Sequence, residues 1–96
     1  LSISLHELCQ YDDLSEQLIV EVVEHDIAQP VAGRSTADWV FDASGVHWLK
    51  KAVRLHTDLD IDWVAVAMVI DLLREKERLE RQNRHFERQL QRLLDQ

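Results

Sequence analysis

Residues that interrupt helices are scarce in this sequence. It holds two glycines and one proline among 96 residues, while 46% of its residues are hydrophobic. This balance excludes a disordered or collagen-like chain and is typical of a folded, mostly helical one. At this length we expect one small domain with a helical extension.

Cysteines and long apolar runs are equally scarce. Cys9 is the single cysteine, so no internal disulfide can form, and its apolar neighbours predict an inert thiol. The longest apolar run, residues 63–70, has eight residues, whereas a membrane span needs about 18. No signal-peptide pattern is present, and we expect a cytoplasmic protein without a membrane partner. Because the chain starts at Leu1 without an initiator methionine, we expect native residues before it.

Positive charge is almost missing from the first half of the chain. Residues 1–49 carry nine acidic side chains and one basic one, Arg34, for a net charge of −8. From Arg74 onward, seven basic and five acidic side chains give +2. A first half with this much negative charge repels phosphate backbones and favours a basic protein surface as its partner.

Signals for catalysis, cofactors and metals are weak. Asp58, Asp60 and Asp62 alternate like the start of a calcium loop, but Trp63 and Val69 stand where such a loop needs Gly and Glu. The five histidines have no zinc-ligand spacing with the cysteine, and no Gly-rich phosphate loop follows a strand. We therefore expect no enzyme, no cofactor and no metal site.

Two capping residues predict short helices in the first half. Ser4 and Glu7 have the spacing of a capping box, which opens a helix through Gln10. Ser15 is a good N-cap for a second helix that keeps its glutamates mostly on the outer side. The proline and glycine of residues 27–38 predict a loop.

The chain from residue 39 onward predicts a short strand and two further helices. Residues 39–41 form a β-like run that we expect to pair with residues 27–31 as a small hairpin. Asp42 should cap a third helix that ends near Thr57, and Asp62 a fourth. With no Gly or Pro to stop it, the fourth helix should run for ~33 residues, or roughly 50 Å. Its first two turns are apolar all round, so we expect them to lie between the lobe and something else.

The last third of the chain repeats every seven residues. Heptad positions a and d are occupied by Val69, Leu72, Lys76, Leu79, Asn83, Phe86, Leu90 and Leu93. A lone helix cannot bury so narrow a stripe, so the pattern predicts a dimerising coiled coil. Asn83 would fix its register at some cost in stability. The alternative is a solvated helix that folds back on its own domain.

These elements predict a mainly α fold: a winged helix-turn-helix lobe with a short two-stranded wing over residues 1–61, followed by a long coiled-coil helix over residues 62–96. The spacing resembles the MerR-type transcription regulators, on the evidence of Ser15, Ile19, Ile27, Pro30, Phe41 and Val46. That resemblance implies antiparallel pairing of the long helices, whereas the heptad asparagine alone does not choose an orientation.

The departures from that pattern bear on function. Val20 and Glu21 stand where the second helix of MerR-type regulators presents Arg and Tyr to DNA. Asp38 and Trp39 replace the Tyr-Arg pair of the wing. Contacts to phosphates and bases need cationic or neutral donors, so an acidic surface is poorly suited to DNA. A dimeric DNA-binding regulator is the alternative function, and we expect no specific nucleic-acid binding.

Four segments, in this order along the chain, resemble the CbpM-type chaperone modulators. They are Trp39-Val40-Phe41-Asp42, Ala52-Val53-Arg54-Leu55, Leu59-Asp60-Ile61-Asp62-Trp63 and Gln82-Asn83-Arg84. The resemblance implies an adaptor that binds the J-domain of a DnaJ-like co-chaperone of the CbpA type and inhibits its stimulation of the Hsp70 chaperone.

The charge of the lobe suggests which residues meet that partner. J-domains present a basic helix to Hsp70, which an acidic surface could occupy by charge complementarity. We expect contacts from Glu16, Glu21, Glu24 and Asp38, with Trp39 as a partly exposed anchor. The alternative is a solvated helix face that only keeps the protein soluble.

Overall fold

A computed structural model describes residues 2–96 and shows four α-helices and two short strands. The predicted fold class is confirmed. In chain order the elements are β1 (Ser2–Ser4), α1 (Leu5–Tyr11), α2 (Glu16–Glu24), a single 3-10 turn (Thr36–Asp38), β2 (Val40–Asp42), α3 (Ala43–Leu59) and α4 (Trp63–Leu94).

Every predicted helix start is confirmed by its cap. The Ser4 hydroxyl accepts from the Glu7 amide at 3.1 Å, and the Glu7 carboxylate accepts from the Ser4 amide at 3.2 Å, which completes the capping box. The other three helices begin with the same kind of bond, from Leu18 N–H to Ser15, from Gly45 N–H to Asp42 and from Ala65 N–H to Asp62. Each bond satisfies an amide that has no partner within its helix.

The predicted partner of the second strand is wrong. β2 pairs antiparallel with β1, with Ile3 opposite Phe41, and not with residues 27–31. Ile27 N–H bonds back to the Val22 carbonyl at 3.0 Å, so the backbone there completes the end of α2 and cannot join a sheet. The loop reaches β2 only at Val31 and Ala32, where Val31 N–H donates to the Val40 carbonyl at 2.8 Å and Ala32 and Val40 form an isolated bridge.

One apolar core joins all four helices and β2. Its fully buried side chains include Leu8 of α1, Ile19 of α2, Phe41 of β2 and Leu49 of α3. Val66 and Ile70 bring the first half of α4 into the same core. Arg74 adds a polar tie, because its guanidinium donates to the Ile27 carbonyl at 2.6 Å and lies over the Trp48 ring.

The second half of α4 leaves this core. The helix has 32 residues, which is about 48 Å at 1.5 Å per residue. Beyond Glu77 every side chain of the chain is exposed. We call residues 78–94 the projecting segment; it gives the molecule its long dimension of 55 Å.

Candidate partner-binding surfaces

Glu16, Glu21 and Glu24 form what we call the acidic face of α2. The buried Ile19 and Val22 hold the opposite side of this helix against the core. Glu16 and Glu24 are exposed and make no hydrogen bond or ion pair to any residue that the structure describes. Glu21 is half-buried, with one carboxylate oxygen 3.6 Å from Nδ1 of His25. Two of the three carboxylates are thus available to a partner.

Asp38 and Trp39 lie in a different part of the lobe. Asp38 is exposed and accepts a hydrogen bond from the Ser35 hydroxyl at 3.0 Å. Trp39 is half-buried and packs edge-on against Phe41, and its carbonyl accepts from Leu5 N–H at 3.0 Å. It is therefore partly exposed, as expected, while its role as an anchor stays a prediction.

The structure does not join these two groups directly. α2 packs on α1 and α3, whereas the 3-10 turn that contains Asp38 packs on α1. Within residues 2–96 no hydrogen bond or ion pair links the α2 glutamates to Asp38 or Trp39. A partner that contacts all five residues must therefore span two separate elements.

Gly33 fixes the loop that carries Asp38. Its φ of +113° is strained for any residue with a side chain. A Cβ at this position would lie 2.4 Å from the Asp38 carbonyl oxygen, well inside van der Waals contact. The sequence marked this glycine only as part of a loop.

An apolar stripe runs along the outer side of α4. At 100° per residue, its six members fall within about 60° of one another around the helix: Met68, Leu72, Leu79, Phe86, Leu90 and Leu93. All six are exposed; Leu72 is 71% and Leu79 48% accessible. Val69 is half-buried, and Asn83 is exposed beside the stripe.

The heptad assignment did not include two exposed apolar residues in the first half of α4. Met68 and Val64 are 64% and 63% exposed, although the first half of α4 packs on the core. Neither occupies an a or d position of the predicted heptads. The all-round apolar character of these first turns was the signal that something besides the lobe covers them.

An aromatic stack connects three helices and has no counterpart in the sequence-based predictions. The Trp63 ring stacks on His56 at 4.1 Å between centroids and lies 6.1 Å from the His25 ring. His56 Nδ1 is 2.8 Å from the Ile61 carbonyl oxygen. The ends of α2 and α3 and the start of α4 thus meet at one indole. No periodic pattern relates positions 25, 56 and 63, so nothing in the sequence predicts this contact.

Electrostatics do not indicate a reactive centre. Burial, with a smaller contribution from Glu16, raises the pKa of the Cys9 thiol, so the thiol stays protonated near neutral pH. On α4 the hydrogen bonds from Arg78 hold the pKa of Glu75 below its usual range. In the described part of the chain no three His, Cys, Asp or Glu side chains are placed to hold a metal ion. Nor is any described helix long and apolar enough to cross a membrane.

Comparison with known proteins matches this chain to one family model and to several relatives that share one name. Residues 3–88 match the model of the MerR HTH family regulatory proteins. The chaperone modulatory protein CbpM of Pseudomonas putida F1 is 34% identical over 98% of this chain and 92% of its own length. CbpM of Pseudomonas entomophila L48 is 37% identical over 94% and 88%, and that of Citrobacter koseri is 31% identical over 98% and 92%.

Proposed function

This chain belongs to the CbpM family of chaperone modulatory proteins and to the MerR HTH family, and from that premise we propose that it is a homodimeric adaptor that restrains a co-chaperone. Its target is the J-domain of a DnaJ-like co-chaperone of the CbpA type, whose stimulation of Hsp70 it inhibits. The chain is not an enzyme, because neither family consists of enzymes. A single protonated cysteine suits the cytoplasm, where we place the protein.

The observation that carries this proposal is the net negative charge of the first half of the chain, where, within residues 2–96, only Asp12 pairs with a lysine or arginine, Lys50 at 3.0 Å. Residues 1–49 have a net charge of −8, and Glu16 and Glu24 project from α2 without ion-pair partners among residues 2–96. The negative charge would attract a basic helix of a J-domain toward this surface, and the bound helix would neutralise that charge. Trp39 could add apolar contact at the edge, since it is only half-buried where it packs on Phe41.

The same charge argues against the alternative of a DNA-binding regulator. Glu21 and Asp38 stand on the helix and the loop that would face DNA in a MerR-type regulator. Arg34 is the single lysine or arginine among residues 1–49, which contain both of these carboxylates. Duplex DNA would be repelled over a Debye length of about 8 Å at physiological ionic strength. A sequence-selective shift of genomic DNA at that salt concentration would favour the regulator instead.

Dimer formation is proposed from the apolar stripe. Its side chains are exposed along nearly the whole of α4, and the residues beyond Glu77 have no lobe behind them. A second copy of the same stripe is the occupant that matches its length and spacing, because knobs-into-holes packing needs apolar residues on both helices. Met68, which is exposed but lies outside the predicted heptad positions, extends the apolar stripe into the half of α4 that packs on the lobe.

Charge favours an antiparallel arrangement of the two helices. A parallel pair would bring two lobes, each with −8 in its first 49 residues, to the same end. An antiparallel pair separates them and lays the +2 tail of one chain beside the lobe of the other. With the two-fold axis at Leu79, Leu72 faces the partner's Phe86 and Met68 the partner's Leu90. Five of the six stripe residues then meet another stripe residue, and Leu93 faces the partner's Ala65.

Cysteine crosslinking tests this orientation. In a Cys9→Ala background, Leu72→Cys alone should not crosslink to itself, because the two thiols lie at opposite ends of the dimer. A mixture of Leu72→Cys and Phe86→Cys chains should form the heterodimeric disulfide. Efficient self-crosslinking of the Leu72→Cys chain would show parallel pairing instead.

Titration of a purified J-domain at low and high salt tests the proposed surface. Glu21→Lys with Glu24→Lys should slow association steeply, and rising salt should slow association of the wild type as well. Trp39→Ala should mainly speed dissociation. Asp58→Lys with Asp71→Lys is the matched control, since both aspartates are exposed and lie outside the acidic first half. Equal effects of the two double reversals, or no salt dependence, would contradict binding at this surface.

A further inference from the structure

The projecting segment of α4 has a second side that the proposed function does not use. Four arginines, Arg81, Arg84, Arg88 and Arg92, are spaced three or four residues apart along it. At 100° per residue they lie within about 80° of one another, nearly opposite the apolar stripe. We call this row the arginine ridge; it extends for about 16 Å at 1.5 Å per residue.

Nothing in the described structure neutralises the ridge. All four side chains are exposed, and none has a hydrogen bond or an ion pair with residues 2–96. Three of the four nearby carboxylates are engaged elsewhere: Glu80 pairs with Lys76 at 3.2 Å, Glu77 faces His47 at 3.7 Å, and Asp95 accepts from the Gln91 amide at 3.2 Å. The fourth, Glu87, forms no ion pair with residues 2–96, so the four arginines exceed the free carboxylates beside them. Like charges three and four residues apart on a helix repel one another, so an anionic partner would relieve this repulsion.

Pairing of α4 with a second copy would leave the ridge open. The seam of such a dimer lies on the stripe, on the other side of the helix. The ridge is then outward-facing in both the parallel and the antiparallel arrangement. It is also separate from the acidic face of α2, which belongs to the lobe.

We propose that the arginine ridge is a docking surface for a short acidic polypeptide segment, one that presents Asp and Glu side chains at the spacing of a helix. The row contains no lysine, and a guanidinium holds a carboxylate through two parallel hydrogen bonds. In either arrangement of the dimer the ridge lies on the side of α4 away from the apolar stripe, so a short segment can contact the four guanidiniums without disturbing the paired helices. A long polyanion such as duplex DNA meets a chain of net charge −7 with an acidic lobe at its other end.

Fluorescence anisotropy with a labelled oligoglutamate peptide tests the proposal on the full chain. Arg81→Gln, Arg84→Gln and Arg88→Gln together should weaken binding about tenfold at low salt, since each exposed ion pair contributes a small amount. The matched control is Arg34→Gln, Lys51→Gln and Arg54→Gln, which removes the same charge from the lobe and should change affinity less than about twofold. Circular dichroism and light scattering should show unchanged helix content and assembly in both variants.

Three results would overturn the proposal. The first is no measurable binding of oligoglutamate by the wild type at low salt. The second is an equal loss in both triple variants, which would indicate a response to net charge alone. The third is tighter binding of a labelled DNA duplex or of anionic phosphatidylserine vesicles than of the peptide, which would assign the ridge to a different class of partner. None of these results bears on J-domain binding at α2, so failure of this proposal is distinguishable from failure of the proposed function.

Discussion

In the lobe, apolar side chains pack on one another around Phe41 and Leu49, whereas every side chain of the projecting segment is exposed. The lobe is closed and displays carboxylates; the segment is open and displays a stripe of Leu and Phe. Its helix continues to Leu94 although only its first half packs on the lobe. This contrast supports our proposals that the lobe recognises a partner by charge and that α4 pairs with a second helix to bury its apolar stripe.

If the apolar core alone stabilises the lobe, removal of a large core side chain should lower the free energy of unfolding strongly. Phe41 is fully buried, and its strand packs on β1 and α3, so Phe41→Ala should cost about 3–5 kcal/mol of unfolding free energy. Urea denaturation followed by circular dichroism measures this. Val31→Ala, in an exposed position, is the control and should cost less than about 0.5 kcal/mol. Similar values for the two variants would show that the core does not hold the lobe.

If α4 depends on a second copy, a charge in its stripe should separate the chains. Leu79→Asp places a carboxylate in the centre of the seam and should cost on the order of 3 kcal/mol or more of dimer stability. Sedimentation equilibrium should then find monomers where the wild type is dimeric. His85→Asp, on the outward side of the same helix, should leave the dimer intact. A monomeric wild type at tens of micromolar would contradict the dimer.

The loop that carries Asp38 allows a finer test within the lobe. Gly33→Ala forces a Cβ against the Asp38 carbonyl at a positive φ, and should cost about 1–3 kcal/mol by thermal unfolding. Gly45→Ala is the same substitution in α3, where the nearest atom is a movable Asp42 oxygen at 3.1 Å. It should be nearly neutral. A reversed order would show that the loop relaxes at no cost.

The smallest expected effect on stability comes from Asn83, the polar heptad residue near the centre of the projecting segment. Asn83→Leu should stabilise the dimer by about 1 kcal/mol, because a buried amide is costly without a full set of partners. Sedimentation velocity should also detect larger assemblies once the register is no longer fixed. An unchanged dimer with unchanged stability would mean that Asn83 lies outside the interface.

Local chemistry explains which features were predictable. All four N-caps depend on side chains within three residues of the helix start, so Ser4, Ser15, Asp42 and Asp62 could be identified from the sequence. The partner of β2 could not, because a three-residue strand does not encode what it pairs with. The backbone at Ile27 bonds back to the end of α2 instead of to β2, and only Val31, at the end of the predicted segment, reaches β2 with a hydrogen bond.

The candidate sites divide in the same way. The heptad period located the stripe, but Met68 was missed because a strict seven-residue repeat departs slightly from the period of a straight helix. The Trp63 stack and the Arg74 tie join residues up to 47 positions apart and leave no local trace. The glutamates of α2 could be placed outward from helical spacing, but not their separation from Asp38, which depends on how the lobe packs.

Hsp70 ATPase activity stimulated by a J-domain tests the central claim most directly. Increasing amounts of the wild-type chain should reduce the stimulated rate toward the basal rate of Hsp70, and excess J-domain should restore it. The Glu21→Lys, Glu24→Lys variant should need a several-fold higher concentration for the same reduction, while the Asp58→Lys, Asp71→Lys control should match the wild type. A stimulated rate that stays constant at saturating wild-type chain would contradict the claim that the acidic lobe occupies the J-domain.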